Sequence, residues 1–102
     1  MESYTPIWEI RHAIPMLMTV RDNEGMTMTD IVRVDRGGEQ KKYAALKYLV
    51  DTGLLESRHD PDGEWNTNHL YLTAAGKKVI ANVEEITKTM DESVSQAKDL
   101  QA

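Results

Sequence analysis

The chain has 102 residues, with 12 Lys and Arg against 17 Asp and Glu for a formal charge of −5, and 40% of it is hydrophobic. That is enough apolar material for one folded domain and too little length for two stable cores. With no cysteine, disulfides, thiolate zinc sites, iron–sulfur clusters and cysteine nucleophiles are excluded. No apolar run nears the roughly 18 residues of a bilayer span, and the opening MESYTPIWEIRH lacks the basic-then-apolar profile of a secretory leader. A soluble cytoplasmic protein with no membrane partner is the expectation.

Between Ser3 and Glu24, Thr5 before Pro6 suits an N-cap and a first helical residue. Ile7, Trp8, Ile10, Ile14, Leu17, Met18 and Val20 follow at mostly helical spacing. Pro15 interrupts them, which predicts a kink or a fresh helix beginning near Ala13. Asn23-Glu24-Gly25 ends this element, and Met26 to Met28 reads as a short extended segment. Thr29 or Asp30 is placed to cap a brief helix holding Ile31, Val32 and Val34, and Gly37-Gly38 is a turn.

Glu39 to Thr52 carries a second strong helical pattern, with Tyr43, Leu46, Leu49 and Val50 along one face and Gly53 as its left-handed stop. Leu54 to His59 and Asn68 to Leu72 read as strands joined by the turn Asp60-Pro61-Asp62-Gly63, a hairpin with a polar tip; His59 and His69 are close enough in register to face one another, but structural or solvent-exposed histidines are the commoner case. Thr73 then caps a helix reaching nearly to the end. Its Val79, Val83, Ile86, Met90, Ala97 and Leu100, with Ser93 filling the gap, step by fours and threes. Such a heptad seam, over roughly three repeats, is longer than a small core can cover, so a second copy of the chain is its simplest partner. The fold class expected is mainly α with a small β-hairpin.

Leu46-Lys-Tyr-Leu49-Val-Asp-Thr-Gly53-Leu54-Leu55 resembles the L-x-x-L-x-x-x-G-L-I signature that ends the recognition helix of winged helix-turn-helix proteins. Leu70-Tyr-Leu72-Thr73-Ala-Ala-Gly76 resembles the Y-x-L-T-x-x-G close of their wing, as in MarR-like and PadR-like regulators and small archaeal dimeric ones. The resemblance covers Ala13 to Ile80. It implies a winged domain over residues 1–73, a coiled-coil dimerisation helix over 74–102, and a homodimeric regulator of transcription that binds double-stranded DNA. The family would place the second helix of its motif in the major groove and the wing against the backbone.

The basic charge lies where that family would use it. Arg33 to Lys47 holds five basic residues, Arg33, Arg36, Lys41, Lys42 and Lys47, against Asp35 and Glu39. Gln40, Lys41 and Lys42 open the recognition helix, where Gln can pair with adenine and Lys with guanine or phosphate. Lys42 also stands four residues before Leu46, where the motif commonly puts an apolar residue; either Tyr43 fills that place or the register differs. Tyr48 and Ala45 lie on the other side and contact DNA or solvent. Arg58, Asn66 and Asn68, with Trp65 and His69, are wing candidates, although Asp60, Asp62 and Glu64 make the tip acidic.

Other chemistry is poorly served. The Asp60 loop lacks the remaining spaced acids of a calcium site, and His12, His59 and His69 are too few for zinc without cysteine. No phosphate loop, nucleophile elbow or paired catalytic carboxylates emerge, so neither an enzyme nor a cofactor is expected. An effector pocket between the first helices and the terminal helix, as in multidrug-sensing relatives, would have no ligand chemistry written in the sequence. The alternative is a winged-helix module that binds protein and not DNA, which the acidic balance favours and the clustered lysines oppose. A DNA-bound form would sit on the nucleoid.

Overall fold

A computed structural model describes residues 4–59 and 68–101. The expectations for the hairpin tip, including those for Trp65 and Asn66, lie outside the described residues. A single 3-10 turn, Ile7–Glu9, is followed by α1 (Ala13–Asp22), α2 (Met28–Val32), α3 (Glu39–Asp51), β1 (Leu55–His59), β2 (Asn68–Leu72) and α4 (Ala74–Gln101).

The first helix begins afresh at Ala13 because His12 adopts a left-handed φ of 70° and breaks the chain there. Pro15 thereby falls in the first turn of α1, where its missing N–H has no helical acceptor to lose. The expected cap at Thr5 is not formed. Pro6 stands as N-cap with no side-chain bond, and only the 3-10 turn follows. On α1, Ala13, Met16, Leu17 and Val20 are buried at helical spacing.

Thr27, and neither Thr29 nor Asp30, caps α2: its hydroxyl accepts from the Asp30 N–H at 3.2 Å. Thr27 is held extended by its bridge to His69, which is the geometry an N-cap needs. Thr29 instead accepts from the Tyr43 hydroxyl at 3.2 Å. Val34 lies beyond the end of α2 and is exposed.

The α3 helix ends at Asp51 with Thr52 as its C-cap, and Gly53 turns out of it with a φ of 82° that a side chain would oppose. The antiparallel strands pair from Leu55 with Leu72 to His59 with Asn68. The two histidines are not cross-strand partners: Arg58 opposes His69, and His59 Nδ1 lies 3.2 Å from Asn68 Oδ1. The Met26 region adds to the sheet through Leu70 N–H to Met26 O at 3.0 Å and Gly25 N–H to Leu70 O at 2.9 Å.

Thr73 caps α4, accepting from the Gly76 N–H at 3.0 Å and donating to the Gly53 carbonyl at 2.6 Å. Ile80 is buried with Leu17, Leu46, Leu49 and Leu70 in the one core cluster, so the packing of the winged domain reaches two turns into α4. An ion pair of 3.1 Å between Arg21 and Glu84 ties the next turn to α1. Beyond it the 28-residue helix, about 42 Å long at 1.5 Å per residue, leaves the body of the molecule. The overall extents are 60 × 36 × 24 Å.

Candidate nucleic-acid interface

The face that α3 turns to solvent follows from the face it buries. Ala45, Leu46 and Leu49 are fully buried against α1, α2 and the strands, which leaves Gln40, Lys41, Ala44 and Lys47 pointing outward. These four form one polar stripe with a small residue at its middle, so little but hydrogen-bonding groups protrude from it. Ahead of it, the turn after α2 carries Arg33 and Arg36, both exposed, and its Gly37 and Gly38 take positive φ to enter the helix.

Lys42 does not belong to that stripe. It is 5% exposed, on the inner face, and its ammonium donates to the Asp35 carbonyl at 2.7 Å. The position is the apolar one of the motif: the methylenes of the lysine stem supply the packing, and the charged end reaches back under the preceding turn. The expectation that Lys42 touches DNA is corrected accordingly. Ala45 faces the core as well. Tyr48 is half-buried, and its hydroxyl donates to the Thr5 carbonyl. Burial, and secondarily the charge of Tyr4, push the Tyr48 phenol above the ordinary tyrosine range.

Arg11 and His12 line a shallow cleft together with Gly38, Glu39, Gln40 and Lys41. Neither residue stands out in the sequence, because the apolar spacing of Ile7 to Val20 draws attention to the other face. An Arg-His pair ahead of a proline-containing first turn was the available signal.

On the hairpin, Arg58 is exposed and already engaged. Its guanidinium bonds Glu56 at 3.1 Å and lies 4.2 Å above the Tyr71 ring. The hydrogen bond to Glu56, and then the charge of Glu56, raise its pKa further. Asn68 is exposed at the start of β2, and His69 Nδ1 lies 2.7 Å from the Gly25 carbonyl.

The second candidate surface is α4. Val79 and Val83 are half-buried at its base. Further out, Ile86 (64% exposed), Met90 (57%), Val94 (46%) and Leu100 (87%) are large apolar groups in solvent, and Ala97 is exposed among them. Val94 takes the place the sequence reading gave to Ser93. At the other end of the chain Tyr4 and Trp8 are exposed and rim a cleft of about 470 Å³ with Tyr48, Asp51, Leu54 and Val79. Among the described residues no group of three or more His, Asp or Glu is placed to hold a metal, and no helix is long and apolar enough to cross a membrane.

No protein-family model and no curated protein matches the chain. Solved structures do. A MarR transcriptional regulator from Methanosarcina mazei Go1 superposes at a TM-score of 0.66 with 21% identity, over 80% of this chain and 58% of that one. A MepR mutant from a multidrug-resistant S. aureus clinical isolate gives 0.72 and 18%, over 87% and 65%. SSV1 F-93 gives 0.56 and 23%, over 76% and 86%. The chain spans about three fifths of the length of the first two, and the likeness is one of fold.

Proposed function

We propose, from the premise of a MarR-like winged-helix fold, that the protein is a homodimeric DNA-binding regulator of transcription and not an enzyme. The observation that carries this reading is the outward stripe of Gln40, Lys41, Ala44 and Lys47 on a helix whose other face is locked into the core. Gln40 has the geometry to read adenine, Lys41 to reach guanine or phosphate, and Ala44 lets the backbone near a thymine methyl. Lys47, Arg33 and Arg36, and from the wing Arg58 and Asn68, supply phosphate contacts. Two copies joined through Ile86, Met90, Val94, Ala97 and Leu100 present their α3 helices to major grooves about 34 Å apart. Such a protein acts in the cytoplasm, on the nucleoid when bound, and needs no cofactor; an effector would act by changing the spacing of the two α3 helices.

The test is a mobility-shift titration against genomic fragments over a salt series. Sequence-preferring binding with a steep salt slope is expected, and no binding near about 50 mM salt would overturn the proposal. A second reading, a module that docks protein and not DNA, draws on the engagement of Arg58 by Glu56 and on the exposure of Tyr4 and Trp8. The same titration separates the two.

A further inference from the structure

The charge buried beneath the reading surface has a use. Among the described residues Lys42 alone is both charged and buried, and the helix would pack with a methionine or leucine in its place. A buried ammonium is costly to desolvate, and one hydrogen bond to a neutral carbonyl compensates it poorly. What the arrangement does achieve is positional. The carbonyl it grips belongs to Asp35, midway along the turn between α2 and α3, with Arg33 and Arg36 on either side and exposed. That turn ends in two positive-φ glycines, Gly37 and Gly38, and so has little stiffness of its own. The end of the turn is tied to the helix by the ordinary backbone bond from the Lys42 N–H to the Gly38 carbonyl at 2.9 Å, so what the ammonium adds is the hold on the middle of the turn.

We infer that Lys42 is a positioning residue for DNA binding: it makes no contact with the duplex but fixes the turn so that Arg33 and Arg36 meet phosphates in register with the α3 stripe. This rests on the DNA-binding reading above. Without the ammonium the stem still packs and α3 still folds, while the turn and its two arginines come loose.

The test compares wild type, Lys42→Met and the double variant Arg33→Ala/Arg36→Ala in salt-series titrations of the preferred genomic duplex. Each phosphate contact contributes about 0.9 to the salt slope. Lys42→Met is expected to remain dimeric, to bind about tenfold more weakly at 0.1 M salt and to lose about 1–2 from the slope. A fourth chain, the triple variant Lys42→Met/Arg33→Ala/Arg36→Ala, should bind little more weakly than the double variant, because both changes remove the same contacts. Weaker binding with an unchanged slope would make Lys42 an ordinary part of the fold, and unchanged binding would leave it with no role; either overturns the inference. A measurement on the wild type guards against a Lys42→Met chain that fails to fold. In nitrogen-15 spectra the Lys42 ammonium should exchange slowly and correlate with the Asp35 carbonyl carbon, and a freely exchanging ammonium would overturn the proposed grip whether or not DNA is bound. A wild type that binds no DNA, with the ammonium still locked, would instead defeat the regulator reading and the role given to the arginines.

Discussion

At Gly76 one atom decides how α4 meets the wing. A Cβ added there would stand 2.1 Å from the Leu54 carbonyl oxygen, which is backbone and cannot swing aside. Gly76→Ala is expected to cost about 1–3 kcal/mol by overpacking, read as a lower urea midpoint with an unchanged slope. An unaffected midpoint would show that α4 can slide on its seat. Tyr48 sets a second single-residue effect, this one dependent on pH. Its folded pKa is raised by burial, so what the neutral phenol contributes is complete below the unfolded tyrosine pKa, about 10, and is lost as pH rises through the higher folded value. The stability advantage of wild type over Tyr48→Phe should be constant from pH 7 to about 9.5 and shrink beyond it; an advantage that does not fall at all as the pH rises further would rule out the buried neutral phenol as its source. Neither effect was legible from residue type alone. Gly76 entered the sequence reading through a motif, and the near-contact that requires glycine exists only once α4 lies against the wing.

Elements were legible to the degree that their signals were unopposed. The span of α3, the two strands and the Thr73 cap followed from apolar spacing and from a hydroxyl at a helix start. The α2 cap did not, because Thr27, Thr29 and Asp30 all have capping side chains within four positions and only the bridge to His69 selects Thr27. The facing of Lys42 failed for a related reason: periodicity counts a lysine as outward, yet its long stem serves as core when the charged end finds an acceptor. Corrected for this, the α3 stripe gives sharper expectations. Lys41→Ala should weaken binding about fivefold to tenfold across all sequences, whereas Gln40→Ala should lose discrimination at one base step, both read by competitive mobility shift. Equal losses on preferred and random duplexes for Gln40→Ala would remove it from the reading face. The wing yields a gain. Glu56 competes with a phosphate for Arg58, so Glu56→Gln should tighten binding about twofold to fivefold and steepen the salt slope; weaker binding would mean that Glu56 orients Arg58 toward the duplex.

As a whole the molecule is elongated. Its radius of gyration is 16.4 Å, against about 13 Å for a spherical domain of this length, and the excess is the outer half of α4. A helix that touches nothing is only marginally stable in water, while this one also exposes Ile86, Met90, Val94 and Leu100 along its length. Strict heptad steps predict most of this row but put Ser93 where the structure has Val94. A straight helix of 3.6 residues per turn drifts from such a repeat, and the step of four from Met90 to Val94 keeps the row continuous. Met90 is at its centre and contributes nothing to the core of the winged domain. Met90→Glu should therefore give a folded monomer by sedimentation, with the near-ultraviolet signature of the winged domain retained, because burying two carboxylates at a symmetric seam is unfavourable. Affinity for a two-site duplex should fall at least tenfold, since linked half-sites gain from effective concentration, while affinity for a single half-site should be unchanged. Truncation after Ile86 should reproduce the monomer. A Met90→Glu chain that still sediments as a dimer at micromolar concentration would move the interface elsewhere, and the exposed Tyr4 and Trp8 at the other end of the chain would be the surface to mutate next.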